Sequence, residues 1–222
     1  SPTGEVIPRI PANMRTRVQY NLSFEKSRVI VQYFTNEERT GDEHIYVQVE
    51  DPIEGVWTIN VYSDTDNSQV FDAWLPMEGF ISPDTYFIKP DPDLTITQPG
   101  NAMKPITVTA YNHVNGSIFI SASRGPTRLG LIEPDIAAPG VDVYGPTGLN
   151  RFGTKTGTSV AAAHVAGAAA LLMEWGVVQG NNVRLDSIAV RQLLITGAQR
   201  DKALNYPNNI WGYGTLDIYN TF

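Results

Sequence analysis

The run Gly157-Thr158-Ser159-Val160-Ala161-Ala162-Ala163-His164-Val165-Ala166-Gly167 places one hydroxyl at the mouth of an apolar helix, a position that suits a nucleophile. A glycine at 157 frees the backbone to turn sharply. Ser159 then sits where the first helical N–H groups lack intrahelical acceptors, so nearby amides are free to hold a developing oxyanion. The helix macrodipole favours negative charge at the same end. The chemistry implied is acyl transfer, in which the hydroxyl attacks a carbonyl and the charge that forms falls to the helix amides. The competing role for Ser159 is an N-cap, a position serine commonly fills.

A serine hydroxyl becomes a good nucleophile only when a base takes its proton, usually a histidine held by a carboxylate. The chain has 3 histidines. His164 follows Ser159 by five residues on the same helix, so it points about 140° away and lies about 7.5 Å along the axis. It cannot be the base. His113 falls within Tyr111-Asn112-His113-Val114-Asn115-Gly116, whose Asn-Gly pair between apolar runs signals a surface hairpin turn. His44 stands at the start of an expected strand, and no chemistry is assigned to it.

Upstream of the serine run come Pro105-Ile106-Thr107-Val108-Thr109-Ala110-Tyr111, then Ser121-Ala122-Ser123-Arg124-Gly125-Pro126-Thr127, then Glu133-Pro134-Asp135-Ile136-Ala137-Ala138-Pro139-Gly140. Downstream comes Trp211-Gly212-Tyr213-Gly214-Thr215-Leu216-Asp217. In this order, with the serine run, these segments resemble the subtilase family of serine proteases over residues 94–222. Ala163 stands where most subtilases have proline, a departure expected to alter the helix start and spare the nucleophile. The resemblance implies that Ser159 is the acyl-enzyme nucleophile and that its backbone N–H is one oxyanion donor. It implies further that Thr158 contacts substrate, and that Asn101 does so as part of a segment 95–101 that walls the specificity pocket. His164 is by the same resemblance a structural residue near the core, and Asp135 belongs to a core segment, not to the catalytic aspartate motif.

Subtilases carry their catalytic aspartate and histidine, and the oxyanion asparagine, in segments before the serine. None of these segments occurs here. The pairs Asp64-Thr65 and Asp84-Thr85 run into Asp66 and Tyr86 where the aspartate motif needs glycine, and no His-Gly-Thr-His stretch is present. Gly-Asn occurs only at 100–101, abutting a core segment, and at 180–181, after the serine helix. The resemblance therefore implies the carboxy-terminal portion of a longer serine endopeptidase, inactive alone. Its partners are a peptide or protein substrate and the amino-terminal part of the same protease. The alternative is a non-catalytic pseudoprotease kept as a binding scaffold.

The formal net charge of -7 leaves no basic field to neutralise phosphates, so nucleic acid is not an expected partner. The chain has no cysteine, which excludes disulfides and thiolate metal sites. The spacing of the remaining ligand types matches no metal motif, and neither metal nor cofactor is expected. No apolar run approaches the length of a membrane span, the longest being the serine helix. A secreted or spore-envelope location follows from the family resemblance alone.

The positions that must hold the site divide into two grains. Short runs rich in Val, Ile, Tyr, Phe and Trp, bounded by Asn, Asp, Gly, Ser and Pro, predict strands over 15–24, 28–35, 44–50, 55–63 and 69–75. Ile45, Val47 and Val49 share one face, as do Trp57, Ile59 and Val61, the period of two of a sheet packed on one side. A β-sandwich is expected over 1–76, then a proline-punctuated linker over 77–98, then the α/β core over 99–222 with a mostly parallel sheet. The stretches Gly55-Val56-Trp57-Thr58-Ile59 and Phe71-Asp72-Ala73-Trp74-Leu75-Pro76 resemble the jelly-roll insertion of Csp-type subtilases, with the chain start then a boundary or processing site inside it. A carbohydrate- or protein-binding role for residues 1–75 is the remaining reading. In the core, a helix over 160–175 with only His164 and Glu174 ionisable is expected to be buried all round and stopped by Gly176. A second helix over 187–195 is capped by Asp186 or Ser187, with Gly197 beyond it.

Overall fold

The computed structural model describes residues 1–11, 17–34, 43–63, 70–77 and 79–222, which form two compact units, Ser1–Asp72 and Ala73–Phe222. In the first unit the β-branched and aromatic runs become β1 (Val18–Asn21), β2 (Arg28–Phe34) and β3 (His44–Glu50), an antiparallel sheet in the order β1-β2-β3. Val29 pairs with Val49 and Val31 with Val47, so these valines share one face, whereas Ile45, expected to pack on it with Val47 and Val49, is exposed. Leu22, Val29 and Val31 are buried there, with Ile7, Ile10, Tyr33 and Trp57 packed against them. Each such side chain contributes about 1.5–3 kcal/mol by leaving water.

Residues 55–63 and 70–75 pair with no strand among the described residues, against the expectation of two further strands. Ile59 and Val61 are 67% and 48% exposed, so among the described residues nothing covers them, whereas Trp57 packs on the buried cluster. One three-stranded sheet is what the described part of this unit contains. The predicted strand residues 15, 16, 35 and 69 lie outside the described residues.

The second unit is mixed α/β. Its strands β4 (Val108–Tyr111) and β5 (Ile136–Pro139) run parallel, and β6 (Val143–Gly148) with β7 (Arg151–Lys155) forms an antiparallel hairpin. Helices α1 (Thr158–Met173) and α2 (Ser187–Gly197) pack with the parallel pair around Ala110, Ile136, Ala138, Ala161, Val165, Leu172, Val190 and Leu194. After β4 the chain reverses at the predicted Asn-Gly turn: the Asn112 N–H donates to Ser117 O at 2.8 Å, and Gly116 takes φ 72°. His113 is exposed on that turn. The segment at 214–216 lines the other edge of β5, with the Ala137 N–H donating to Gly214 O and the Leu216 N–H to Ala137 O.

Helix α1 departs from expectation in three ways. Its buried residues are Ala161, Val165, Ala168 and Leu172, a single stripe at helical spacing, and the remaining apolar face is exposed rather than buried all round. No described residue covers that face. Gly176 does not stop the helix, which continues into a π-helical turn at Glu174–Val178. Gly176 is instead buried where a Cβ would lie 2.7 Å from the Leu185 side chain, so its smallness lets the 182–185 segment close in. With that continuation, Thr158–Val178 spans 21 residues at mean hydropathy 1.5, longer than the sequence reading allowed and enough by length and composition alone to cross a bilayer. The stripe packed against β4, β5 and α2 is that of a core helix.

Helix α2 begins as expected. The Asp186 carboxylate accepts from the Ala189 N–H at 2.9 Å, satisfying one first-turn donor. Gly197 is its last residue rather than lying beyond it.

Candidate active site

The position of Ser159 is built from β5 outward. The Gly140 N–H donates to Tyr111 O at 3.0 Å, and Gly140 O accepts from the Gly157 N–H at 2.8 Å, so the end of the parallel pair holds the start of α1. Only glycine fits at 140: a Cβ there would lie 2.6 Å from the Ala110 Cβ and 2.8 Å from Gly157 O. Gly157 is the N-cap residue, at φ 152° and ψ 159°, a backbone that L side chains rarely adopt. Ser159 is thereby the second residue of α1.

No side chain caps α1, so Ser159 does not fill the N-cap role. Its side chain is exposed and its Oγ makes no hydrogen bond among the described residues. The first amides behave as helix geometry requires. Those of Val160 and Ala161 turn back to Gly157 O at 3.1 and 3.4 Å, whereas those of Thr158 and Ser159 find no acceptor among the described residues. An unengaged hydroxyl thus stands beside two free N–H groups at the positive end of a helix, an arrangement that can bind an oxyanion.

The other residues singled out by sequence are not joined to Ser159 by any hydrogen bond among the described residues. Thr158 is half-buried as the first residue of α1. Asn101 is exposed on a turn before β4. His164 is exposed, its Nδ1 against Val160 O at 3.0 Å, which corrects the expectation of a residue near the core. The physical reason is the same uncovered face of α1 that bares its alanines. His44 is the exposed first residue of β3.

Asp135 is fully buried and serves the fold. Its Oδ2 accepts from the Thr107 N–H at 2.8 Å, and its Oδ1 accepts from Arg191 Nε at 2.8 Å and from Arg191 Nη2. This ties α2 to the parallel pair across 56 positions of sequence. Glu133, buried beside it, has Oε1 4.0 Å from Arg191 Nη2 and an Oε2 with no hydrogen-bond partner among the described residues. Burial, and then the Asp135 charge, raise its carboxyl pKa to about 7. Sequence reading missed Arg191 and Glu133. The signal was two carboxylates entering an apolar strand, which cannot be buried without a cation.

A carboxyl whose folded pKa exceeds its unfolded value binds more protons in the folded state, so it withdraws stability as pH rises. For Glu133 the loss begins near pH 4.5 and is complete above about 7, reaching about 3 kcal/mol at most. Glu133→Gln is expected to flatten the fall in melting temperature between pH 5 and 8 and to raise stability at pH 8. An unchanged slope in that window would show that Glu133 titrates as an ordinary carboxyl.

The model of the Subtilase family matches residues 33–214. Among solved structures, the CspB protease of Clostridium perfringens is similar at TM-score 0.79 and 26% identity, over 100% of this chain and 47% of that one. Serine protease AprX of Bacillus subtilis is 32% identical over 147 residues, covering 57% of this chain and 31% of its own length. A subtilisin-like protease of Coccidioides posadasii is 40% identical over 77 residues, covering 34% of this chain and 19% of its own. The chain thus spans a third or less of these curated relatives and about half of the structural one.

Proposed function

The chain belongs to the subtilase family, and from that premise we propose that it is the serine-bearing portion of an endopeptidase in which Ser159 forms the acyl-enzyme. The observation that carries this reading is the free Ser159 hydroxyl beside the unengaged Thr158 and Ser159 amides. In the proposed reaction a base takes the Oγ proton, Oγ bonds to the scissile carbonyl carbon, and the Ser159 N–H holds the oxyanion. Collapse breaks the C–N bond, the amine leaves with the proton, and water then hydrolyses the ester. The base, its carboxylate and an asparagine donor come from the preceding part of the protease, so this chain alone is inactive. Thr158 and Asn101 contact substrate in this reading, and a secreted or envelope location accords with it.

The residues before the core belong, in this proposal, to a jelly-roll-like insertion, supported by the CspB likeness, which covers the whole chain. The preceding part of the protease packs on the exposed face of α1 and into the ≈310 Å³ groove lined by Pro105, Ile106, Val108, Ala162, Ala166 and Ala169. Supporting this, the Val108 carbonyl and the Val108 and Ala110 N–H groups have no partner outside β5 among the described residues. At an exposed site Ala166→Arg would shift stability by no more than about 0.5 kcal/mol. In the longer protease it is expected to cost more than about 2 kcal/mol in denaturant unfolding, and a shift within the exposed-site range would remove this docking face.

The test of the function is labelling of the longer protease with a fluorophosphonate, followed by peptide mass mapping. An adduct on Ser159 supports the endopeptidase. A folded protein of full length with no adduct favours the non-catalytic scaffold.

A further inference from the structure

We propose that Asp142 and Thr156 form a staple that positions Ser159 by fixing the strand-to-helix turn in front of it. The inference rests on the reading of Ser159 as nucleophile and names the residues that aim it. The β6–β7 hairpin leaves the chain after Gly140 and returns to it just before Gly157, with Val143 opposite Lys155 as its last pair. Between that pair and the helix, two reciprocal contacts tie the two sides of the turn together. The Asp142 N–H donates to Thr156 Oγ1 at 2.9 Å, and the Thr156 hydroxyl donates to Asp142 Oδ1 at 3.2 Å. Immediately after them the Gly157 N–H is held by Gly140 O.

The backbone at 142 supports a dedicated role. Asp142 takes φ 51°, a left-handed conformation that costs most L residues about 1–2 kcal/mol and that Asp tolerates better than most. That turn is what aims the Asp142 N–H and carboxylate together at one hydroxyl. Thr156 lies three residues before Ser159, so a shift of the turn moves Oγ and the free Thr158 and Ser159 amides as one body. Misplacement of a reacting group by about 1 Å costs on the order of a hundredfold in rate. The staple is exposed, so its removal should be felt in the geometry of the site far more than in global stability.

The experiment compares Thr156→Val with Thr156→Ser, and Asp142→Ala with Asp142→Asn, in the longer protease. Thr156→Val is expected to lower kcat and the rate of fluorophosphonate labelling of Ser159 by roughly tenfold or more, with KM and melting temperature little changed. Thr156→Ser and Asp142→Asn keep the contacts and are expected to restore most of the rate. Amide hydrogen exchange at Gly157 should speed up in Thr156→Val and not in Thr156→Ser. Wild-type labelling at Ser159 with an unaltered rate in Thr156→Val would overturn the staple and leave the nucleophile standing. Absence of label in the wild type would defeat the nucleophile itself, and unchanged exchange at Gly157 would then defeat the staple separately.

Discussion

With Ser159 as the proposed nucleophile, Ser159→Ala is expected to abolish both peptide hydrolysis and fluorophosphonate labelling in the longer protein, while leaving its melting temperature unchanged. The side chain is exposed and its hydroxyl supports no hydrogen bond among the described residues, so its loss removes no structural contact. Alanine is also the best helix former, and the cap of α1 is Gly157, so the helix should begin at the same residue. Loss of the nucleophile in a serine protease of this type lowers kcat on the order of a million-fold, the remainder coming from binding and the oxyanion donors. Steady-state hydrolysis of a peptide substrate and an intact-mass measurement after labelling would check it. Turnover within tenfold of wild type, or a probe adduct on the variant, would place the nucleophile elsewhere.

Asp135→Ala is expected to be the most damaging single change to the fold, costing about 3–5 kcal/mol. It removes an acceptor from the buried Thr107 N–H and two charge-assisted bonds from Arg191, the link between α2 and the parallel strands. The Glu133 carboxylate can recover part of the loss, because Arg191 already lies 4.0 Å from it and the Asp135 charge that raised its pKa would be gone. The double variant Asp135→Ala, Glu133→Gln, which leaves the guanidinium with no carboxylate, should therefore lose more than the sum of its parts. Denaturant midpoints at fixed slope measure both. A cost below about 1 kcal/mol for Asp135→Ala would mean that water or Glu133 satisfies Arg191 as well as Asp135 does.

What was legible along the chain was local. The serine run could be read because its parts are contiguous: the turn glycine, the hydroxyl and the apolar helix are neighbours in sequence, and helix geometry then dictates which amides are free. The Asp186 cap and the Asn115-Gly116 turn were legible for the same reason, each being encoded within a few residues. The β6–β7 hairpin was legible in principle and missed. Its turn lies at Leu149 and Asn150, both left-handed, and an asparagine among alternating residues was the available sign.

Burial and long-range pairing were not legible, because they depend on groups far away in the chain. Composition made α1 apolar on every side, yet which side is covered depends on where β4, β5 and α2 lie, and only one stripe meets them. Gly176 has the type of a helix stop, but Leu185 packed against it makes it a contact residue. The runs at 55–63 and 70–75 have strand-like residues but no ladder among the described residues, because a strand is defined by a partner. The Arg191–Asp135 link and the hold of Gly140 on Gly157 join elements distant in sequence, so the aim of the Ser159 hydroxyl is a property of packing, whereas its presence at a helix mouth is a property of the order of residues.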